Sequence, residues 1–219
     1  MTVGVLGGTG PAGRAAAAQL AAIGKIVVVG SRDLARAEEA VKEVQSAWPD
    51  RDLDLRPGTN EAAAEADMVV VAVPWEGVLS TLEPLAALFD GKIVISMVNA
   101  LTRWGRSMVP LIVPTGSVAV AVARALPGAR VVAAFHHLPA GQWADLDSPL
   151  QADVLVCSDN LAATAEVIAL ISGIPGLRGV DAGTLASAMA IESLTPVLLE
   201  VNRRHKTHAS LRLTGLGEP

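Results

Sequence analysis

The stretch VLGGTGPAGR, residues 5–14, restricts the possible folds more than any other part of the chain. The apolar run over 2–7 reads as a buried strand, and the alanine-rich run over 12–24 reads as a helix closing at Gly24. Between them, Gly8-Thr9-Gly10-Pro11-Ala12-Gly13 matches G-x-G-x-x-G where that motif has meaning, after a strand and opening a helix. Gly8 is expected to make the tight turn, Gly10 to let a pyrophosphate approach the main chain, and Gly13 to let helix and strand pack closely. Pro11 stands at or near the first helical position, where its missing N–H costs nothing. The helix start then offers free N–H groups and partial positive charge to phosphates. The bland alternative is a glycine-rich turn without a ligand, but the strand–turn–helix context favours dinucleotide binding. The same glycines also fit G-x-x-G-x-x-G through Gly7, so the loop alone does not choose among reductase families.

The rhythm that follows is strand and helix in alternation. Strands are expected at 26–30, 68–73, 92–96 and 131–135, with helices at 33–47, 76–88 and 117–126. Continuous β-branched runs between helices imply a mostly parallel sheet covered on both faces, an α/β Rossmann-type doubly wound fold. After about residue 140 the pattern changes to a strand at 153–157, a helix at 161–172, the segment GIPGLRGVDAG and a longer helix over 184–203. The expected organisation is a dinucleotide-binding domain over 1–140 and a smaller C-terminal domain or extension over 141–219.

The second strand ends without the acid that holds a ribose in NAD-preferring sites. It ends instead in Ser31 and Arg32, with Arg36 one helical turn on. Two arginines and a hydroxyl suit a 2′-phosphate. Charge-assisted bonds of about 1.5–3 kcal/mol each would give roughly a hundredfold preference for NADP. A solvated arginine pair at a helix start is the competing reading.

Composition removes several chemistries. There is no tyrosine to serve as a proton donor, and no lysine between Lys92 and Lys206. One cysteine, Cys157, excludes an intramolecular disulfide and fits a cytoplasmic protein. With only His136-His137 beside it, no zinc cluster and no other metal site is expected. A net charge of -5 argues against nucleic acid, and charged residues or proline interrupt every apolar run too early for a membrane span. No signal peptide is apparent. The substrate half thus shows no general acid. That suits an acceptor that is itself a redox ring and needs only stacking and positioning.

The segments GGTGPAG, GSRDLAR, AVPWEGV, FHHLPA, DVLVCSDN, LRGVDAG and IESLTPVLLEVNRRHKTHASLRL, in order from residue 3 to about 215, resemble the NADPH-dependent reductases of coenzyme F420, a 5-deazaflavin. The resemblance implies hydride passing directly between the nicotinamide of NADP and the deazaflavin, with no catalytic acid or base. It implies that Thr9, Gly10, Pro11 and Ala12 hold the pyrophosphate, and that Ser31, Arg32 and Arg36 hold the 2′-phosphate. Val73, Pro74 and Gly77 would flank the adenosine or ribose, and Asn99 and Ala140 the nicotinamide end. His136, Leu138, Ser193 and Thr195 would line the deazaflavin site, with residues near Ala209 closing it. One departure matters. Three positions before Glu192, where the family often carries an arginine, this chain has Met189. If that arginine serves the acidic tail of the deazaflavin, another cation must do so here, and Arg178 or the Arg203-Arg204-Lys206 cluster could substitute.

Single residues keep second readings. His136 alone reads equally as a histidine bonded to backbone, and His137 as structural or exposed. Trp75 reads more readily as packed than as stacked on a ring. Ser193 and Thr195 do not share a helical face, although Pro196 could turn both toward one ligand. Cys157 reads as a buried strand residue. The apolar last helix makes a homodimer an expectation. Two other functions fit the glycine loop, an NADP-dependent reductase of a small imine or ketone and a non-catalytic NADP-binding redox sensor. The absence of an acid/base group speaks against the former.

Overall fold

A computed structural model describes residues 1–216. In chain order the strands are β1 (Thr2–Leu6), β2 (Ile26–Ser31), β3 (Leu55–Thr59), β4 (Met68–Val71), β5 (Ile93–Ser96), β6 (Leu101–Trp104), β7 (Ser107–Pro110), β8 (Arg130–Ala133), β9 (Ala152–Val156) and β10 (Leu177–Asp181). The helices are α1 (Pro11–Ala22), α2 (Leu34–Ala47), α3 (Asn60–Ala64), α4 (Val78–Leu82), α5 (Val118–Ala125), α6 (Ala140–Trp143), α7 (Leu161–Ser172) and α8 (Ala188–His205).

Six strands form one sheet in the order β3-β2-β1-β4-β5-β8, every pairing parallel. This is the doubly wound α/β arrangement the sequence implies. Side chains of each strand alternate between two apolar layers. Met68 and Val70 enter one with α1, and Val69 and Val71 enter the other with α5. From β1 the chain moves outward to β2 and β3, then returns to β4 and leaves the other way. The reversal opens a crevice at the C-terminal ends of β1 and β4, where ligands of such sheets bind.

β9 pairs in parallel with β10 and touches the main sheet through one antiparallel bridge, Ala133 to Cys157. The β9–β10 unit therefore stands out beyond the C-terminal ends of the main strands. Its core is not separate. Trp143, Val154, Val167 and Ile171 share one apolar cluster with Val3 and Ala15. No helix among the described residues is long and apolar enough to cross a membrane.

Several elements differ from the sequence expectation, for local reasons. β3 carries Pro57 and Gly58, which the pattern treats as loop, but it is an edge strand, where proline is tolerated. The expected helix over 76–88 is a broken run: a 3-10 turn at Trp75–Gly77, then α4, then a 3-10 stretch at Glu83–Phe89 opened by Pro84. The β6–β7 hairpin and β10 have too few residues and too much glycine and charge to show an alternation. The last helix starts at Ala188 after a 3-10 turn and runs on to His205, with Pro196 inside it.

Candidate functional site

The glycine loop joins β1 to α1 as the sequence implies, with one correction to its geometry. The tight turn is made by Gly7, whose φ of 72° is left-handed; Gly8 is required for space, since a Cβ there would lie 2.8 Å from Val29 Cγ1. A Cβ on Gly13 would lie 2.5 Å from the Gly7 carbonyl oxygen, so α1 packs on the turn only because Gly13 has no side chain. Gly10 is different. The nearest atom to a Cβ there is 3.6 Å away, so the protein itself leaves that side open. Gly10 is the N-cap of α1, no side chain caps the helix, and Pro11 is in its first turn. The free N–H groups of the first turn therefore face the opening beside Thr9, Gly10, Pro11 and Ala12.

At the end of β2, Ser31 is buried and its hydroxyl accepts from Asp33 N–H (3.2 Å), while Asp33 caps α2 through Ala35 N–H (3.0 Å). That brace sets the start of α2. It leaves Arg32 and Arg36 exposed, with neither guanidinium in a hydrogen bond or ion pair among the described residues. After β4, Val73 is buried against the Gly7 turn, Pro74 is exposed and Gly77 has open space beside it. Trp75 packs on the α5-side core, as expected.

Farther along the edge, three elements meet at one carbonyl. Asn99 Nδ2, from the loop after β5, donates to the His136 carbonyl oxygen at 2.9 Å. Thr195 Oγ1, from α8, lies 2.9 Å from the same oxygen and 3.1 Å from Asn99 Oδ1. The carbonyl is aimed there by an uncommon turn. Phe135 has φ 66°, left-handed for a bulky residue, and its ring stacks on Trp143 with centroids 5.2 Å apart. Asn99, His136 and Thr195 are thus brought together. Ser193 is on a different face of α8; its hydroxyl makes no hydrogen bond among the described residues and does not join them. Leu138 is half-buried against the core. Ala140 opens α6, whose Trp143 carbonyl accepts from buried Gln19 of α1 (2.6 Å).

His136 is buried, and neither ring nitrogen has a partner among the described residues. Burial, with His137 adding to it, pushes its pKa down to about 3, so the ring is neutral at ordinary pH. His137 is structural. Its Nε2 accepts from Leu155 N–H at 3.4 Å, and burial pushes its pKa down to about 4. Cys157 is buried, and burial pushes its thiol up to about 12, which leaves it unreactive.

Two carboxylates that sequence reasoning passed over hold the C-terminal wall. Glu192 Oε1 and Oε2 accept from Ala119 and Val118 N–H (3.0 and 2.9 Å), tying α8 to the start of α5; burial raises its pKa against those bonds. Asp153 is fully buried. It accepts from Arg178 Nε and Nη2 (2.8 and 2.6 Å) and from Leu213 N–H (2.6 Å). Arg178 Nη2 also donates to the Leu213 carbonyl. That corrects one expectation, because Arg178 is committed to Asp153 and the C-terminal segment. An acid inside an otherwise apolar run, as in ADVLV or AMAIES, is the only sequence signal either residue gives. The segment itself is fastened a second time at Ala209, whose N–H donates to Asn202 Oδ1 at 2.5 Å.

A groove of about 760 Å³ lies between α1, α2 and α6; it meets the residues discussed above only at Pro11 and Ala140. The open edge is the better candidate, since the uncapped first turn of α1, the exposed Arg32 and Arg36 and the Asn99–Thr195 contact lie along it.

A family model described as "NADP oxidoreductase coenzyme F420-dependent" matches residues 2–100. The chain is 36% identical to the F420-dependent NADP reductase of Methanocaldococcus jannaschii over 99% of both chains. It is 35% identical to that of Methanothermobacter marburgensis over the full length of both. Among solved structures, a chain from Arthrobacter sp. FB24, provisionally assigned as an F420-dependent NADP reductase, superimposes with a TM-score of 0.79 at 26% identity, over 96% of this chain and 97% of that one. With a glycine turn, an arginine pair and a C-terminal wall placed in the order the sequence implies, and with end-to-end identity at this level, the chain belongs to the F420-dependent NADP reductase family.

Proposed function

We propose that the protein transfers hydride between NADP(H) and the deazaflavin coenzyme F420 across the C-terminal edge of its sheet. The observation that carries this reading is the pairing of a preformed phosphate turn with a neighbouring site that holds no usable acid or base. His136, whose carbonyl takes the Asn99 and Thr195 contacts, carries a ring that is buried and neutral. Hydride passes between nicotinamide and deazaflavin rings when both are bound, and no protein proton is needed for that step.

The residues would act by holding and aligning. Thr9 and Ala12 would offer main-chain N–H groups to the pyrophosphate, Gly10, whose own N–H is bonded to the Gly7 carbonyl, and Pro11 would border it, and Gly8 and Gly13 keep the turn in shape. Ser31, Arg32 and Arg36 would take the 2′-phosphate, supported by the lack of any competing partner for either arginine. Val73, Pro74 and Gly77 would flank the adenosine or ribose. Asn99 and Ala140 would border the nicotinamide. His136, Leu138, Ser193, Thr195 and Ala209 would line the deazaflavin site, with the two orphaned nitrogens of His136 supporting that place.

In this reading residues 1–140 form the dinucleotide domain, and the segment from 141 onward supplies the second wall of the cleft. The exposed Trp104 and Ile112 support a homodimer, and the single buried cysteine supports a cytoplasmic setting. The decisive measurement is the deazaflavin absorbance band after mixing NADPH, oxidised deazaflavin and protein. Bleaching of the band is expected. An inert mixture at saturating concentrations of both would refute the proposal.

A further inference from the structure

Asn60 is a buried amide that the fold itself does not use. It follows directly on β3, opens α3 and is 7% exposed. Its Oδ1 is buried and has no hydrogen-bond partner among the described residues. Its Nδ2 makes no hydrogen bond among them either. Helix capping does not account for the residue, because Thr59 already caps α3, its Oγ1 accepting from Ala62 N–H at 3.3 Å. Packing does not account for it. A leucine of similar shape would fill the place without leaving a polar group unsatisfied, and burying an unpaired amide costs stability.

Its place in the fold gives the amide a neighbour. β3 pairs with β2 in register, Gly58 with Gly30 and Thr59 with Ser31, and adjacent strands lie about 4.8 Å apart. Asn60 is thus one residue beyond the partner of Ser31, at the corner where Arg32 and Arg36 are exposed. It lies against Gly30, where a Cβ would come within 3.1 Å of Asn60 Oδ1 and 2.8 Å of Ala63 Cβ. The Gly30 carbonyl in turn accepts from Gly8 N–H at 3.0 Å, so the amide and the glycine turn meet at one residue of β2. α3 is seated hard against the sheet, since a Cβ on Gly4 would overlap the Ala63 carbonyl. The amide is held in place before any ligand arrives.

We infer that Asn60 is a further residue of the NADP site, whose side-chain amide hydrogen-bonds the adenosine ribose beside its 2′-phosphate and whose neutrality contributes to the choice of NADP over NAD. The inference deepens the reading of the Ser31-Arg32-Arg36 corner and rests on it. An amide accepts from a ribose hydroxyl and carries no charge, and rotation about χ2 presents either of its ends. A carboxylate here would accept from the hydroxyl equally well but would repel the phosphate. Glu61, the next residue, is exposed and takes its hydrogen bonds from its own main chain and from Thr59.

The test is calorimetric titration of the natural protein and two variants with NADP+ and NAD+, in the absence of deazaflavin. Asn60→Asp keeps an acceptor and adds a charge. It should lower the preference for NADP+ over NAD+ by about tenfold, almost wholly through weaker NADP+ binding. Asn60→Leu removes the hydrogen bond alone. It should weaken both nucleotides to a similar extent, with an unfolding midpoint equal to or above that of the natural protein. The fragment 2′,5′-ADP, which carries the phosphorylated ribose and no nicotinamide, should follow NADP+ in both variants. A merely structural Asn60 would move the unfolding midpoint and leave the preference ratio alone. A ratio unchanged by Asn60→Asp, or an NADP+ affinity unchanged by Asn60→Leu, in protein whose circular dichroism matches the natural chain, would overturn the inference while leaving the two arginines in place. Binding of neither nucleotide to the natural protein would overturn both.

Discussion

The turn after β1 and the knot at Asn99, His136 and Thr195 both stand at the ends of parallel strands, but they are built by opposite means. The turn is local. Gly7, Gly8, Gly10 and Gly13 lie within seven residues, and their geometry follows from absent side chains. The knot is assembled at long range. Thr195 reaches a carbonyl 59 residues away, and Glu192 reaches main-chain groups 73 and 74 residues away. A site made by local backbone is robust to the rest of the fold. A site made by distant side chains depends on every element that sets their spacing. The first half should therefore lose ligand affinity when altered, and the second should lose stability and activity together.

The largest effect expected from that contrast is at Asp153. Asp153→Ala leaves the half-buried Arg178 charge without its carboxylate, so urea unfolding should show a loss of about 3 kcal/mol. Removing the exposed Asp54 that pairs with Arg56 should cost less than about 1 kcal/mol. Similar losses at the two sites would break the comparison. Next comes Arg32→Glu. It should weaken NADPH roughly a hundredfold more than NADH with no shift in unfolding midpoint. An equal loss for both nucleotides would remove the arginine from the 2′-phosphate.

Two glycines sharpen the same point. Gly13→Ala forces a methyl against the Gly7 carbonyl and should destabilise by about 1–3 kcal/mol. Gly10→Ala makes only an ordinary contact, 3.6 Å from the Gly7 carbonyl oxygen, so it should cost less than about 1 kcal/mol of stability yet still impair NADPH binding. Calorimetry and titration on the pair would show whether fold and ligand requirements separate in this way.

The histidines give a pH signature. Both fold with pKa values, about 3 and about 4, below the 6.5 of an unperturbed ring. The unfolded chain takes up protons first, so stability is lost as pH falls from about 6.5 towards 4, by up to about 1.4 kcal/mol per pH unit for each ring. His136→Leu should flatten that slope by one proton, and an unchanged slope would mean that the ring is not buried neutral. A small change is expected in Thr195→Val, about 1 kcal/mol of stability with a modest fall in deazaflavin turnover.

This difference in construction also decides what a sequence can reveal. The parallel sheet, the glycine turn and the Ser31-Arg32-Arg36 corner are legible because each is encoded within one short window. β3 is hidden by Pro57 and Gly58, which an edge position excuses but a pattern cannot. The bonds of Asp153 and Glu192 are hidden for another reason. A carboxylate looks the same in sequence whether it faces water or caps a helix on the far side of the molecule. The motif resemblance does reach Thr195 and Asn99, but only the coordinates show that they share the His136 carbonyl.

Phe135 carries a consequence of its own. A glycine would enter the left-handed turn after β8 without cost, whereas a phenylalanine resists it by about 1–2 kcal/mol. The stack on Trp143 offsets that resistance and denies the backbone the wandering a glycine would permit. The carbonyl that Asn99 and Thr195 grip is thus aimed before either arrives. A Phe135→Gly protein would be expected to fold with a looser hinge at this point, its catalytic rate reduced by misalignment rather than by any missing contact.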